Sequence, residues 1–208
     1  MIPFENIAVF FAASVALALA PGPDNIYVLT QSAIQGRAAG LYVTLGLCTG
    51  LLVHTAAVSL GVAALFATSA VAFNALKFIG AGYLVYLAWQ AFRAGATDLL
   101  KDRNAAIRSH HLYARGVIMN VTNPKVAIFF LAFLPQFADP SRGSLPLQLV
   151  LFGAIFIVAA LLVFSSIAWF AGFLGERLGK SQRAQIILNR IAGTIFVGLA
   201  LKLATSAR

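Results

Sequence analysis

Six apolar runs, each close to the length a helix needs to cross a bilayer, leave this chain little choice of fold. They cover roughly residues 4–20 (continuing to 36 beyond a break), 40–66, 71–93, 112–137, 147–172 and 186–205. A spanning helix takes about 20 predominantly apolar residues and satisfies its own backbone in hydrocarbon. Composition agrees: 61% of residues are apolar and 10% charged, against about 45–50% and about 25% in a soluble domain. The expected fold is therefore an all-α integral membrane protein, a single domain over residues 1–208.

The net charge of +9 does not indicate a nucleic-acid partner, because the basic residues gather at segment ends, where they orient helices and meet anionic lipid. With the N-terminus outside, the inner side receives Arg37, Arg93, Lys101, Arg103, Arg108, Arg115, Arg177, Lys180 and Arg183, and the outer side only Arg142, Lys202 and Arg208. Nine against three places both termini outside. Ala18-Leu19-Ala20 resembles a cleavage site after an apolar stretch. No Lys or Arg precedes that stretch and Pro21 opposes cleavage, so the segment is expected to stay as a membrane helix. Cys48 is the only cysteine, which rules out an intramolecular disulfide and a thiolate metal site. No metal or cofactor motif is present, and neither a nucleophile elbow nor a phosphate loop indicates an enzyme.

The first run is interrupted by Pro21-Gly22-Pro23-Asp24-Asn25. Two prolines around a glycine fix φ and remove donors, so no regular helix passes through. Pro23 then suits a first helical position and Asp24 and Asn25 a first turn, so the helix restarts at once. Asp24 is the only one of six acidic residues away from segment ends and loops. A carboxylate in hydrocarbon costs several kcal/mol and defaults to a functional role; the alternative is a capping carboxylate in an interfacial turn. The length of the run leaves depth open: about 33 residues at ~1.5 Å each exceed a ~30 Å core.

Asn123-Pro124-Lys125 is a second break, with Asn123 as N-cap and Pro124 as first helical residue. Asn120 and Thr122 add polarity just before it. Lys125 either places a positive charge beside a half-helix N-terminus or snorkels from a proline kink. Pro23 precedes Pro124 by 101 residues, Gly46 precedes Gly153 by 107, and Lys77 precedes Arg190 by 113, with Gly80 and Gly193 three residues after the last pair. These ordered matches predict two inverted three-helix repeats, about 1–100 and 110–208, with broken first and fourth helices, as in secondary transporters. Helix N-termini and Lys125 suit an α-carboxylate, and Asp24 an α-ammonium or a proton. That pattern points to amino-acid-like substrates.

Gly46, Gly50 and His54 recur every four residues on one face, which for the glycines means close helix packing, within the chain or in a homodimer. His54 is either a pH-responsive pathway residue or a partner for a carbonyl. Thr30, Gln31, Ser32 and Gln35 form a polar stripe suited to a hydrated pathway or a helix interface. Phe129, Phe130, Phe133 and Phe137 are expected to pack or face lipid, Tyr83, Tyr86 and Trp89 to form an interfacial belt or pack, and His110-His111 to lie in a cytoplasmic loop.

The stretch from Pro21 to His54, PGPDNIYVLTQSAIQGRAAGLYVTLGLCTGLLVH, resembles the first signature of the LysE/RhtB amino-acid exporter family. Asn123 to Pro140, NPKVAIFFLAFLPQFADP, resembles its second signature, and Leu76 to Trp89 its third segment. The resemblance covers nearly the whole chain and implies a multi-pass exporter of amino acids or close analogues in the bacterial inner membrane, driven by protons. Asp24 and the Pro-Gly-Pro form look more like the homoserine/threonine/leucine side of the family than the basic side. By motif, Pro21, Gly22, Pro23, Asp24 and Asn25 fall on one signature and Asn123, Pro124 and Lys125 on the other, with Gln31 and His54 added from the residue reading. The rival functions are a heavy-metal exporter on the same scaffold, and a membrane enzyme or structural membrane partner.

Overall fold

The computed structural model describes residues 2–68, 70–94, 108–171 and 182–205. Lys101, Arg103, Arg177, Lys180 and Arg208, which entered the charge count above, lie outside the described residues. Among those described there is helix and no strand. The helices are α1 (Phe4–Leu19), α2 (Pro23–Gln35), α3 (Arg37–Thr68), α4 (Ala70–Arg93), α5 (Ser109–Val121), the short α6 (Pro124–Ile128), α7 (Leu145–Trp169) and α8 (Gln182–Thr205).

Two described helix segments, Arg37–Gly61 of α3 and Leu145–Trp169 of α7, are individually long and apolar enough to cross a membrane. Two bent pairs also qualify when each is taken as one span: α1 with α2, bent by 61°, and α5 with Pro124–Phe137, bent by 48°. Both bends fall on the breaks expected from proline. Beyond α6 the second break continues as a π-helical turn, Phe129–Phe133, and a 3-10 turn, Leu134–Phe137. Pro135 has no N–H to offer the carbonyl four residues back, so the α ladder cannot run through it and the local winding changes.

Glycine sets the closest helix approach. A Cβ on Gly46 would run into the Tyr113 carbonyl, and one on Gly116 would come within 2.6 Å of the Val43 carbonyl, so α3 and α5 cross backbone to backbone. Gly50, one turn on, would meet the Asn120 side chain at 2.7 Å. The glycine stripe is thus used inside the protomer. Four buried hydroxyls are satisfied locally: Ser14, Ser32, Thr44 and Thr55 each donate to the carbonyl four residues earlier in their own helix.

Phe129, Phe130, Phe133 and Phe137 are all buried. With Phe10, Phe152 and Phe156 they form one continuous aromatic block, ring centroids 4.8–6.4 Å apart. Large apolar side chains elsewhere point outward, including Leu52 and Leu60 on α3, Phe78, Ile79 and Trp89 on α4, and Leu147 and Leu162 on α7. In water such a surface is a liability, whereas in lipid it is the expected exterior. Arg37 stacks on Trp169 and Arg93 on Trp89, each 4.8 Å from the ring centroid, which puts the start of α3 and the end of α7 side by side.

Candidate functional site

The two breaks meet. At the first, α1 ends with carbonyls that cannot be paired inside the helix. Ala16 is served by the Ala20 N–H (3.0 Å) and Ala18 by the Asn25 Nδ2 (2.6 Å). The remaining help comes from the other break: Lys125 Nζ donates to the carbonyls of Leu17 (3.3 Å) and Ala20 (3.1 Å). An ammonium at a helix C-terminus is also favoured by the macrodipole. Gly22 allows this, since a Cβ there would stand 3.1 Å from Lys125 Nζ.

Asp24 is 2% exposed and Lys125 8%. The Lys125 side chain is thus turned into the protein and does not snorkel outward. The capping geometry also differs from expectation. Asn123 Oδ1 accepts from the Lys125 backbone N–H at 3.0 Å, and Pro124 contributes no N–H. The second half-helix therefore closes its own first turn with Asn123, and what Lys125 presents to the first break is its side chain.

Asp24 Oδ2 accepts from Asn120 Nδ2 at 3.4 Å, while Asp24 Oδ1 has no partner. Asn120 Oδ1, Asn123 Nδ2 and Asn25 Oδ1 are likewise buried without partners. Asn120 is 1% exposed, and its backbone carbonyl accepts from His54 Nε2 at 3.1 Å, which places the imidazole proton on Nε2. The His54 ring packs on Phe130, with centroids 5.6 Å apart. His54 thus positions α5, and through it Asn120.

Asp24, Asn120 and Lys125 line a small cavity with Leu17, Ala18, Leu51, Val126, Phe156 and Phe164. It has room for about one water molecule. Asp24 and Lys125 face it without forming an ion pair: among the described residues only Asp139 and Arg142 do so.

Of the residues singled out by sequence, the fold brings together Gly22, Asp24, Asn25, Asn123, Lys125 and, through Asn120, His54. Pro21, Pro23 and Pro124 are exposed; they make the breaks and do not line the cavity. Gln31 stands apart, buried on α2 and accepting from Gln35 Nε2. Asn120 is the central residue that the sequence reading noted only as added polarity. Its signal was its position, four residues before the second proline and inside an apolar run.

Two breaks pinned together around buried charge define a membrane transport protein of the broken-helix kind. The chain belongs to the LysE type translocator family, whose description matches residues 15–207. Members of that family are transporters, so the protein is a transporter and not an enzyme. It is 33% identical to a homoserine/homoserine lactone efflux protein of Salmonella typhi over 204 residues, 98% of each chain. It is 27% identical to a leucine efflux protein of Salmonella typhimurium over 203 residues, 96% of this chain and 95% of that one. An uncharacterized membrane protein of Vibrio cholerae is 33% identical over 200 residues, 95% of each. No solved structure matches the chain.

Proposed function

We propose that the protein exports amino acids or close analogues with uncharged side chains, of the homoserine, threonine or leucine kind, across the bacterial inner membrane in exchange for protons. In this reading it is a multi-pass protein of six membrane segments, arranged as two inverted three-helix repeats with Pro23 and Pro124 at equivalent breaks. The names of its efflux relatives support the substrate class.

One observation carries the reading: a buried carboxylate and a buried ammonium face a single cavity without touching. Separated opposite charges in low dielectric are costly unless something bridges them. An amino-acid zwitterion has the matching pattern. Its α-ammonium complements Asp24 Oδ1 and Asn120 Oδ1, both unpartnered acceptors. Its α-carboxylate complements the remaining N–H of Lys125 Nζ, which also lines the cavity. Depth is consistent: the 13 residues of α2 span ~20 Å, which separates Asp24 from the Arg37 end by much of a ~30 Å core. Entry requires opening, and the bends between α1 and α2 and between α5 and α6 are the hinges that would permit it. Asp24 would carry a proton inward after releasing the ammonium outside.

The test is efflux from proteoliposomes loaded with a panel of amino acids, with and without an imposed pH gradient. Efflux of uncharged members, accelerated by the gradient, is expected. Asp24→Asn keeps shape and removes charge, and a lost charge-assisted contact of about 1.5–3 kcal/mol lowers transport by about 10- to 100-fold. No efflux across the whole panel overturns the substrate class, and full gradient-driven efflux by Asp24→Asn overturns the proton role.

A further inference from the structure

One turn from the cavity, α2 and α5 are joined by a single cation and a single ring. The Arg115 guanidinium lies over the Tyr27 ring, 4.9 Å from its centroid. Tyr27 is buried and Arg115 exposed. Tyr27 follows Asp24 by three residues on α2, ~4.5 Å along the axis, and Arg115 precedes Asn120 by five on α5, ~7.5 Å. Contacts with α3 fix the side on which the pair lies. A Cβ on Gly40, near the start of α3, would run into Ser32 of α2, and one on Gly116 of α5 would meet Val43. Asn120, by contrast, stands against Gly50, farther along α3. From Asp24 and Asn120, both helices therefore lead toward Arg37. The pair stands between the cavity and that end, which the charge count assigns to the cytoplasm. Among the described residues no carboxylate pairs with Arg115.

We propose that Tyr27 and Arg115 form the entry gate on the Arg37 side, and that Arg115 opens it by exchanging the ring for the carboxylate of the arriving substrate. The proposal rests on the amino-acid reading above and adds how the site is reached. A carboxylate coming from that end meets Arg115 before Lys125, because Arg115 is exposed and Lys125 is buried. The guanidinium fork matches a carboxylate through two parallel, charge-assisted hydrogen bonds, a stronger contact than a cation over a ring at an exposed site. The exchange is therefore downhill when substrate is present, and the ring regains its cation when substrate has left. Nothing else polar holds Tyr27 shut: its hydroxyl is buried without a partner, so swinging the ring toward water satisfies a group that is unsatisfied in the closed gate. Capture and opening are then one event, and the carboxylate passes on to Lys125, the cation that lines the cavity.

The experiment puts a reporter thiol in the cavity, Ala18→Cys in a Cys48→Ala background, since Ala18 lines the cavity and Cys48 is the only native cysteine. The full chain in vesicles is treated with a membrane-impermeant methanethiosulfonate on one face at a time. Arg115→Gln and Tyr27→Ala should each speed labelling from the Arg37 face about three- to tenfold, the size of a lost cation–π contact, and leave labelling from the opposite face unchanged. Arg115→Lys keeps a cation and should label more slowly than Arg115→Gln. Arg115 is exposed, so Arg115→Gln carries the test even where Tyr27→Ala fails to fold. A second measurement separates capture from closure: the leucine concentration on the Arg37 face that half-saturates transport, with the native Ala18 and Cys48 in place. Arg115→Gln should raise it about tenfold, as loss of a charge-assisted contact does. Tyr27→Ala should lower it, because no ring competes for the guanidinium. Unchanged labelling, or equal acceleration from both faces, overturns the gate, although the amino-acid reading stands. Half-saturation moving the same way in both variants overturns capture by Arg115. If wild type carries no leucine, the amino-acid reading falls and capture with it, and the labelling still decides the gate.

Discussion

The two helix breaks look alike in sequence and differ in how their polar groups are satisfied. At the second, the chain serves itself: Asn123 caps α6, and Thr122 Oγ1 donates to the carbonyl of Ile118. At the first, no side chain caps α2, and two carbonyls at the end of α1, those of Leu17 and Ala20, depend on Lys125, more than a hundred residues away. The second break can therefore form locally, whereas the first is complete only when the second is docked against it. Anything that moves Lys125 therefore also frees the end of α1.

The sharpest way to break the comparison is Lys125→Met. It leaves the Leu17 and Ala20 carbonyls without their charged donor, at about 1.5–3 kcal/mol for each such hydrogen bond, and leaves the buried Asp24 without the cation that shares its cavity. A large loss of thermal stability in detergent, with loss of transport, is expected. Because removing Asp24 as well relieves the stranded charge, Lys125→Met with Asp24→Asn should be more stable than Lys125→Met alone. Equal stability of the single and double variants would mean the breaks are not electrically linked.

Next in size is Gly50→Ala. The added Cβ would lie 2.7 Å from the Asn120 Cβ, close to the branch point and not at a flexible tip, so α5 or Asn120 must shift. Overpacking of this kind costs about 1–3 kcal/mol, and it displaces the amide that joins α5 to Asp24. Gly61→Ala is the control, since nothing lies within 4 Å of its Cβ. It should be neutral or slightly stabilising by helix propensity, and similar melting temperatures for the two variants would dissociate Gly50 from the junction.

What was legible in the sequence follows the same division between local and distant. The breaks at Pro21–Pro23 and at Pro124 were readable because proline and glycine act on their own backbone. Helices α3, α4, α7 and α8 cover the runs at 40–66, 71–93, 147–172 and 186–205 to within a few residues, because apolar length alone fixes them. The close packing of Gly46 and Gly50 was readable from their spacing. Distant pairings were not: neither the reach of Lys125 to α1 nor the contact of Asn120 with Asp24 leaves a mark at any one position. Gln31 shared a polar stripe with its neighbours yet pairs within α2, because a helical stripe records a face and not what that face meets. The π and 3-10 turns after Ile128 had Pro135 as their only local sign.

A smaller effect is expected from Asn123→Ala, which tests whether the second break is self-sufficient. It removes the cap on the Lys125 backbone N–H, a loss of about 0.5–2 kcal/mol for an N-cap asparagine. Asn123→Ser retains a neutral capping acceptor and should recover most of the melting temperature. If Asn123→Ala instead destabilised the protein as much as Lys125→Met, the second break would depend on its surroundings as the first does.

The smallest effect lies in the turn before α7, where local satisfaction recurs. Asp139 accepts from the Ser141 hydroxyl (2.6 Å) and backbone N–H (2.9 Å) and from Arg142 Nε (2.9 Å), while Gln148 Nε2 and Oε1 bracket the Asp139 backbone. Hydrogen bonds from Ser141, and secondarily Arg142, hold its carboxyl below the ordinary carboxylate value. A carboxyl whose folded pKa is depressed contributes stability that is fully present above its unfolded pKa and is lost as pH falls through the folded value. The side chain is exposed and screened, so the contribution is small. Asp139→Asn should melt slightly below wild type at neutral pH, and the gap should close as pH falls through the acidic range where Asp139 itself is protonated. The difference in melting temperature between the two proteins, followed across pH, reads this single group against all the others that titrate. A gap that widened with acidification would show that the loop draws on a partner beyond its own residues, as the first break does.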